Sequence, residues 1–261
     1  MTQALDFHTL KALLEWQIDL GATEAIGDAP INRFEAPAKA PQPIRPQDPA
    51  PQDLPTSPPA ANQTEIAQTL ATQATDLVSL RAALVAFDGC DLKKGARNLV
   101  FADGNPAARV MVIGEAPGRE EDLHGRPFVG AAGQLLDKMF AAIGLSRGSE
   151  DPDTAIYITN ILPWRPPQNR EPTPQEIAML MPFVAQHINL AAPQFIIAMG
   201  NTPCAALLGQ RGITRLRGTF TTAFDRPVLP MLHPAYLLRN PIAKRDAWSD
   251  LLTLKARMHP T

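Results

Sequence analysis

The sequence predicts an α/β fold: a three-layer αβα sandwich around a central four-stranded parallel sheet. Three observations predict it. From Ala107 onward, short apolar runs alternate with longer helical patterns. The runs are almost continuously apolar, as befits strands covered on both faces. Each is followed by a helix-length segment, which implies right-handed crossovers between parallel neighbours.

The elements follow in order. Residues 5–20 predict a short amphipathic helix, with Phe7, Leu10, Leu14 and Ile18 at helical spacing and Gly21 as its stop. From Asp28 to Pro59, 10 of the 27 prolines crowd together with Ala, Gln and Asp. Such a stretch buries too little apolar surface to offset chain entropy and predicts an extended, disordered linker. The expected organisation is an N-terminal helix over 1–27, a linker over 28–61 and one globular domain over 62–261. Asn62 is the expected N-cap of a helix whose apolar face is Ile66, Leu70, Leu77, Leu80 and Leu84. Residues 109–113, 155–159, 195–199 and 227–232 are the four expected strands, and 131–143, 174–190, 202–208 and 243–257 the helices. Thr173 and Pro174 open the second of these helices.

Composition narrows the classes. Formal net charge is −2 over 261 residues, so the total announces no polyanionic partner. The distribution is uneven: residues 1–87 carry 5 Lys/Arg against 10 Asp/Glu, and residues 160–261 carry 11 against 5. A basic back half fits a phosphate-facing surface or an ordinary solvated one. Cys90 and Cys204 share no metal or redox spacing and read as reduced thiols. With neither a signal peptide nor a membrane-length apolar run, the expectation is a soluble, cytoplasmic, monomeric protein with no membrane partner. The N-terminal helix docks a partner protein, folds back on the domain or stays peripheral.

In a parallel sheet of this kind ligands bind beyond the carboxyl ends of the strands. The unusual polar residues sit there: Glu115 after the first strand, Asn160 after the second, Gly200-Asn201-Thr202 after the third and His233-Pro234 after the fourth. The first turn is neither G-x-G-x-x-G nor a P-loop, and Pro117 removes a backbone donor that a phosphate loop would use. No Cys/His pairing has zinc spacing, and no Ser-His-Asp set declares itself.

Those residues belong to longer motifs. Gly114-Glu115-Ala116-Pro117-Gly118 precedes Glu121-Asp122, Gly125-Arg126-Pro127-Phe128-Val129-Gly130 and Gly133-Gln134-Leu135-Leu136. Tyr157-Ile158-Thr159-Asn160 precedes Arg165-Pro166-Pro167-Gln168-Asn169-Arg170, and His233-Pro234-Ala235-Tyr236-Leu237-Leu238-Arg239 lies near the end. In this order, from about Phe87 to Leu252, they resemble family 4 uracil-DNA glycosylases. The resemblance implies a uracil-DNA glycosylase-like fold and a monofunctional DNA-repair enzyme. Such an enzyme hydrolyses the N-glycosidic bond of uracil in DNA after flipping the base and leaves an abasic site.

By the same resemblance Phe128 is a stacking plate for the flipped base. Asn160 offers a carbonyl and an amide that suit the O4 and N3–H edge of uracil. His233 donates to uracil O2 as charge develops there. Glu115 is the first-motif acid, with Glu121 and Asp122 as alternatives or as a solvated pair at a helix start. Gly114 and Ala116 complete the uracil pocket. Ala116 stands where the best-known family of these enzymes has an aspartate base, and Gly118 where that family has the tyrosine that keeps out thymine. Asn201 and Thr202 are expected at a phosphate, with Arg170, Arg217 and Arg239 at others. Tyr236, Leu237 and Leu238, on an expected short loop, offer an apolar wedge for the base stack or else core packing. Family 4 also implies four cysteines around an iron–sulfur cluster. Their positions here are Phe87, Cys90, Trp164 and Leu180, so the expectation is a cluster-free protein that needs no cofactor. A related branch traps uracil covalently through a histidine after the second strand, but residues 162–173 contain none. The alternative function is a non-catalytic protein that binds and shields uracil or abasic DNA. The implied site of action is the cytoplasmic nucleoid.

Overall fold

The computed structural model describes residues 60–259. The helix expected over 5–20 and nearly all of the Pro-rich stretch lie outside the described residues. The chain forms α1 (Ala60–Gln73), α2 (Leu77–Ala86), α3 (Leu92–Gly95), β1 (Asp103–Gly104), β2 (Val110–Gly114), α4 (Arg119–His124) and α5 (Ala131–Ala141). It continues through β3 (Ile156–Asn160), α6 (Pro174–Ala191), β4 (Phe195–Met199), α7 (Asn201–Leu208), α8 (Ile213–Leu216), β5 (Thr221–Ala223), β6 (Arg226–Met231), α9 (Pro234–Arg239) and α10 (Lys244–Met258). Short 3-10 turns occupy Pro167–Asn169 and Pro241–Ala243.

The sheet has six strands in the order β1-β3-β2-β4-β6-β5, not four. The central four are parallel as expected, and β1 and β5 add short antiparallel edges. Every residue of β2, β3 and β4 is buried, which explains their apolar runs. Alternate residues feed opposite layers. Met111, Ile113, Ile196 and Ala198 pack toward α1, α2, α6 and α7, while Val110, Val112, Ile197 and Met199 pack toward α5 and α10. The chain leaves β2 for β3 on one side and returns to β4 on the other, so the topological switch lies between the ends of β2 and β4. That is where a crevice must open.

Two local expectations change. The helix expected from Asn62 begins at Ala60 and is two helices rather than one. Asp76 stops the run: its carboxylate accepts from Ser79 N at 2.7 Å and its own N–H donates to Ser79 Oγ at 3.1 Å, a reciprocal cap that starts α2. Consequently Ile66 is exposed, and α1 buries the small residues Ala67 and Ala71 against its neighbours. By contrast, α6 opens as read. Thr173 Oγ1 accepts from Glu176 N, Glu176 accepts from Thr173 N at 2.8 Å, and Pro174 sits in the first turn. Among the described residues no helix is long and apolar enough to cross a membrane.

Candidate active site

Four strand ends converge on a crevice of about 610 Å³, within the range that holds a small ligand such as one nucleotide base and sugar. The turn after β2 is sewn to the end of β3: Ile161 N donates to Gly114 O at 2.9 Å and Leu162 N to Glu115 O at 3.0 Å. This puts Glu115 and Asn160 side by side at the crevice floor.

The innermost slot is formed by Gly114, Phe128 and Asn160. A Cβ on Gly114 would lie 2.4 Å from Asn160 Oδ1 and 2.6 Å from the Phe128 ring, so only glycine leaves this slot open. Asn160 is 6% exposed, and its Oδ1 is buried without a hydrogen-bond partner. An orphan buried acceptor costs about 1–3 kcal/mol unless a ligand donor meets it. Phe128 sits in the left-handed region at φ 53, a strained place for a bulky residue. Three features hold it. Arg147 donates to Pro127 O at 3.0 Å and to Phe128 O at 2.9 Å while paired with Asp103 and Asp137. Glu121 accepts from Val129 N, Gly130 N and Gly118 N at 2.9–3.1 Å. Gly133 lets the helix start lie against the Phe128 carbonyl, where a Cβ would stand only 1.7 Å away.

His233 faces the Phe128 ring, with ring centroids 5.4 Å apart. It caps α9: its Nδ1 accepts from Ala235 N at 3.1 Å. Nδ1 therefore carries no proton, and Nε2–H is left as the donor. Desolvation first, then the Arg239 charge, pushes its pKa down to about 4, while Glu121 pulls the other way; the ring is neutral at physiological pH. Glu115 is half-buried and accepts from Thr202 Oγ1 at 2.5 Å through Oε2. Its Oε1 is left for another partner.

Glu115, Ala116, Phe128, Asn160 and His233 line the crevice together, as do Asn201, Thr202, Arg170, Tyr236 and Arg239 at its rim. Several duties differ from those expected. Glu121 and Asp122 are not a solvated acid pair. Glu121 braces the Phe128 loop, and Asp122, 9% exposed, accepts from Arg97 N at 2.8 Å and Asn98 N at 3.1 Å. The Thr202 hydroxyl serves Glu115, and Asn201 Oδ1 accepts from Gly212 N and Ile213 N. Arg170 is paired with Glu176 at 2.6 Å. Arg217 does not line the crevice; its guanidinium bonds to Asp250, which is 1% exposed, and to the Asp246 carbonyl. Tyr236, Leu237 and Leu238 are on helix α9, not a loop, and Leu237 is fully buried. The sequence carries no signal for Arg147, nor for Arg211 and Glu171, which line the crevice. Arg147 has no motif around it, and its partners Asp103 and Pro127 are distant in the chain.

Residues 101–252 match the family model described as the uracil DNA glycosylase superfamily. The chain belongs to that superfamily. It is 39% identical over 171 residues to a type-4 uracil-DNA glycosylase of Archaeoglobus fulgidus, covering 62% of this chain and 82% of that protein. A type-4 uracil-DNA glycosylase of Thermotoga maritima is 40% identical over 154 residues, covering 58% and 77%, and one of Pyrobaculum aerophilum 36% over 185 residues, covering 67% and 91%.

The four residues that the family 4 resemblance puts at its cluster positions do not fit a cluster. Phe87, Cys90, Trp164 and Leu180 are each at most 2% exposed and belong to one apolar core. Phe87 packs on Phe183 with centroids 5.4 Å apart. The set offers one sulfur donor where a cluster needs four, and burial raises the Cys90 pKa, which disfavours the thiolate. Among the described residues no three His, Cys, Asp or Glu side chains gather as a metal site.

Proposed function

We propose that this protein removes uracil from DNA by hydrolysis, leaving an abasic site. The orphan Oδ1 of Asn160 carries the reading. It is a buried acceptor beside an aromatic plate, in a slot that one glycine keeps open. Uracil N3–H supplies the missing donor, and the Asn160 amide then donates to O4; cytosine, with an unprotonated N3 and an amino group, mismatches both. Phe128 stacks on the flipped base.

As the bond between C1′ and N1 breaks, its electron pair leaves with uracil and negative charge grows on O2. The neutral His233 meets it through Nε2–H. Water then bonds to C1′, and its proton passes to the uracil anion, which leaves as neutral uracil. Glu115 is the acid assigned to the developing sugar cation, and its Oε1, outside the Thr202 bond, orients that water. Ala116 supplies no base, so catalysis rests on leaving-group stabilisation and Glu115. Gly118 brings no side chain to exclude a larger base.

The cluster positions are read as replaced by apolar packing. Purified protein is expected to be colourless and nearly iron-free; a brown sample with about four irons per chain, the stoichiometry of one cubane, overturns this part. The enzyme is taken to act as a monomer on uracil-containing DNA in the cytoplasm. Excision is tested with a uracil-containing oligonucleotide, scored by alkaline cleavage at abasic sites. Strand scission with excess protein supports the reading. Tight binding with no scission, unchanged by Glu115→Ala or His233→Ala, sinks it in favour of a lesion-shielding protein.

A further inference from the structure

The ring of Phe128 and the carboxamide of Asn160 are two walls of one slot, and one strand sets the distance between them. Asn160 ends β3. Asp103, in the two-residue edge strand β1, is registered on β3 opposite Ile158. Ser146 is bridged to Ala155, just before β3; its N–H donates to Thr154 O at 2.8 Å and its carbonyl accepts from Ile156 N at 3.1 Å. The next residue is Arg147. Its Nη1 donates to Asp103 Oδ2 at 2.9 Å and to Pro127 O at 3.0 Å, its Nη2 to Phe128 O at 2.9 Å and its Nε to Asp137 Oδ1 at 2.8 Å. Asp103 also faces Arg126 at 3.9 Å, so both flanks of the plate return to the same acid. Plate and edge are thereby held on one ruler, although neither Arg147 nor Asp103 lines the crevice.

A buried arginine that spans acids and carbonyls is ordinary in itself. Arg109 is one: at the amino end of β2, away from the crevice, it meets Gln194 at 2.8 Å, Asp153 at 3.2 Å and the Met258 carbonyl at 3.1 Å. Arg147 differs in what it holds. Phe128 stands at φ 53, where a bulky side chain crowds its own backbone. A released loop therefore turns back to negative φ and carries the ring away from the slot. The two carbonyls are consecutive. A planar fork meets both while its remaining donors reach Asp103 and Asp137; a lysine keeps the charge and lacks the fork.

We infer that Arg147, anchored by Asp103, is the positioning residue that sets the Phe128 plate against the base-reading edge of Asn160. Its fork, rather than its charge, does the work, and the short edge strand β1 serves to present Asp103 to it. The inference rests on the excision reading above, which gives the plate its base to stack on.

The test compares Arg147→Lys with Arg109→Lys, whose side chains are similarly buried, at 16% and 21% exposed. Both are made in the full chain and read in two ways. One is single-turnover excision, with affinity for an abasic duplex measured beside it. The other needs no DNA: the ring current of Phe128 on the His233 ring protons, which lie in rings 5.4 Å apart, with the His187 protons under Phe101 as internal reference. For Arg147→Lys the excision rate should fall about tenfold or more, abasic-duplex affinity should stay within about twofold, and the His233 signals should move while those of His187 stay. Guanidinium at tens of millimolar should restore rate and signals to Arg147→Ala by filling the vacated fork. Arg109→Lys should melt at a lower temperature and change neither readout. Equal effects of the two lysine variants, unmoved His233 signals or absence of the guanidinium rescue overturns the assignment. Should the Arg147 variants fail to fold, Asp137→Asn removes one partner that is 47% exposed and is read in the same way. Displaced His233 signals then support the inference, and unmoved ones overturn it. Should wild type excise nothing, the excision reading fails on its own, and the His233 signals still decide whether Arg147 sets the plate.

Discussion

Replacing Asn160 with alanine should separate folding from function, because the same atom opposes one and serves the other. Asn160 Oδ1 is buried without a partner at the end of β3. Removing an unsatisfied buried acceptor returns about 1–3 kcal/mol, and the lost van der Waals contacts of a short side chain beside an open crevice give back less than that. The net expectation is a gain of about 1 kcal/mol, which raises the melting temperature by roughly 2–4 °C for a domain of this size. Excision moves the opposite way. Two hydrogen bonds to the uracil edge at about 1.5 kcal/mol each amount to roughly 3 kcal/mol, or about a hundredfold in the single-turnover rate. Differential scanning calorimetry and the excision assay on one preparation measure both. A variant less stable by more than about 1 kcal/mol with intact excision would show that the carboxamide is a structural tie, and would refute the assignment of the slot.

Other substitutions test the remaining parts. Thr202→Val leaves Glu115 without its hydroxyl donor; kcat should fall about tenfold while affinity for abasic DNA holds, and Thr202→Ser should recover most of the loss. Arg217→Ala strands the buried carboxylate of Asp250 and should cost about 3 kcal/mol in denaturant unfolding without changing the salt dependence of DNA binding. Arg239→Ala should do the reverse, lowering the slope of log K against log salt by about one. His187, 4% exposed beneath Phe101 and bonded to the Tyr157 hydroxyl at 2.8 Å, has its pKa pushed down to about 4 by desolvation. A folded-state pKa below the unfolded one means stability is complete above the ordinary histidine value and is lost as pH falls from there toward 4. His187→Gln should reduce but not abolish that acid limb in thermal melts taken across this range, since His233, also lowered to about 4, contributes over the same window; an unchanged slope would exclude His187 as a source.

The central strands were legible because each is a run of residues buried on both faces, a pattern that local sequence carries whole. The strand-end positions of Glu115, Asn160, Asn201 and His233 followed from the boundaries of those runs. The edges were not legible. Strand β1 is two residues and β5 three, and Asp103-Gly104 and Thr221-Thr222-Ala223 lack an apolar pattern because each is paired on one side only. Arg217 shows the limit for charges. Its sign is visible in sequence, but its partner lies 33 residues on, and burial at 1% makes that partner decisive. Leu237 shows the limit for apolar residues. A short loop allows Tyr236, Leu237 and Leu238 either to form a wedge or to pack in the core, whereas the His233 cap makes 234–239 a helix, and one face of a helix beside a sheet must turn inward.

The first turn changes most in meaning. Three acids lie close together near it, and chemistry alone made each a candidate for the water. Backbone bookkeeping separates them. Glu121 accepts from three main-chain amides and Asp122 from two, and a carboxylate so engaged cannot leave without orphaning those donors. Glu115 takes one hydroxyl and keeps an oxygen free toward the crevice. The division explains why the turn tolerates Ala116: its shape is held by Glu121 at Gly118 N and by Ile161 N and Leu162 N at the carbonyls of Gly114 and Glu115. The fold of the turn therefore does not depend on the Ala116 side chain, whereas a Cβ at position 118 would lie 2.8 Å from Glu121 Oε2 and disturb the carboxylate that braces the Phe128 loop.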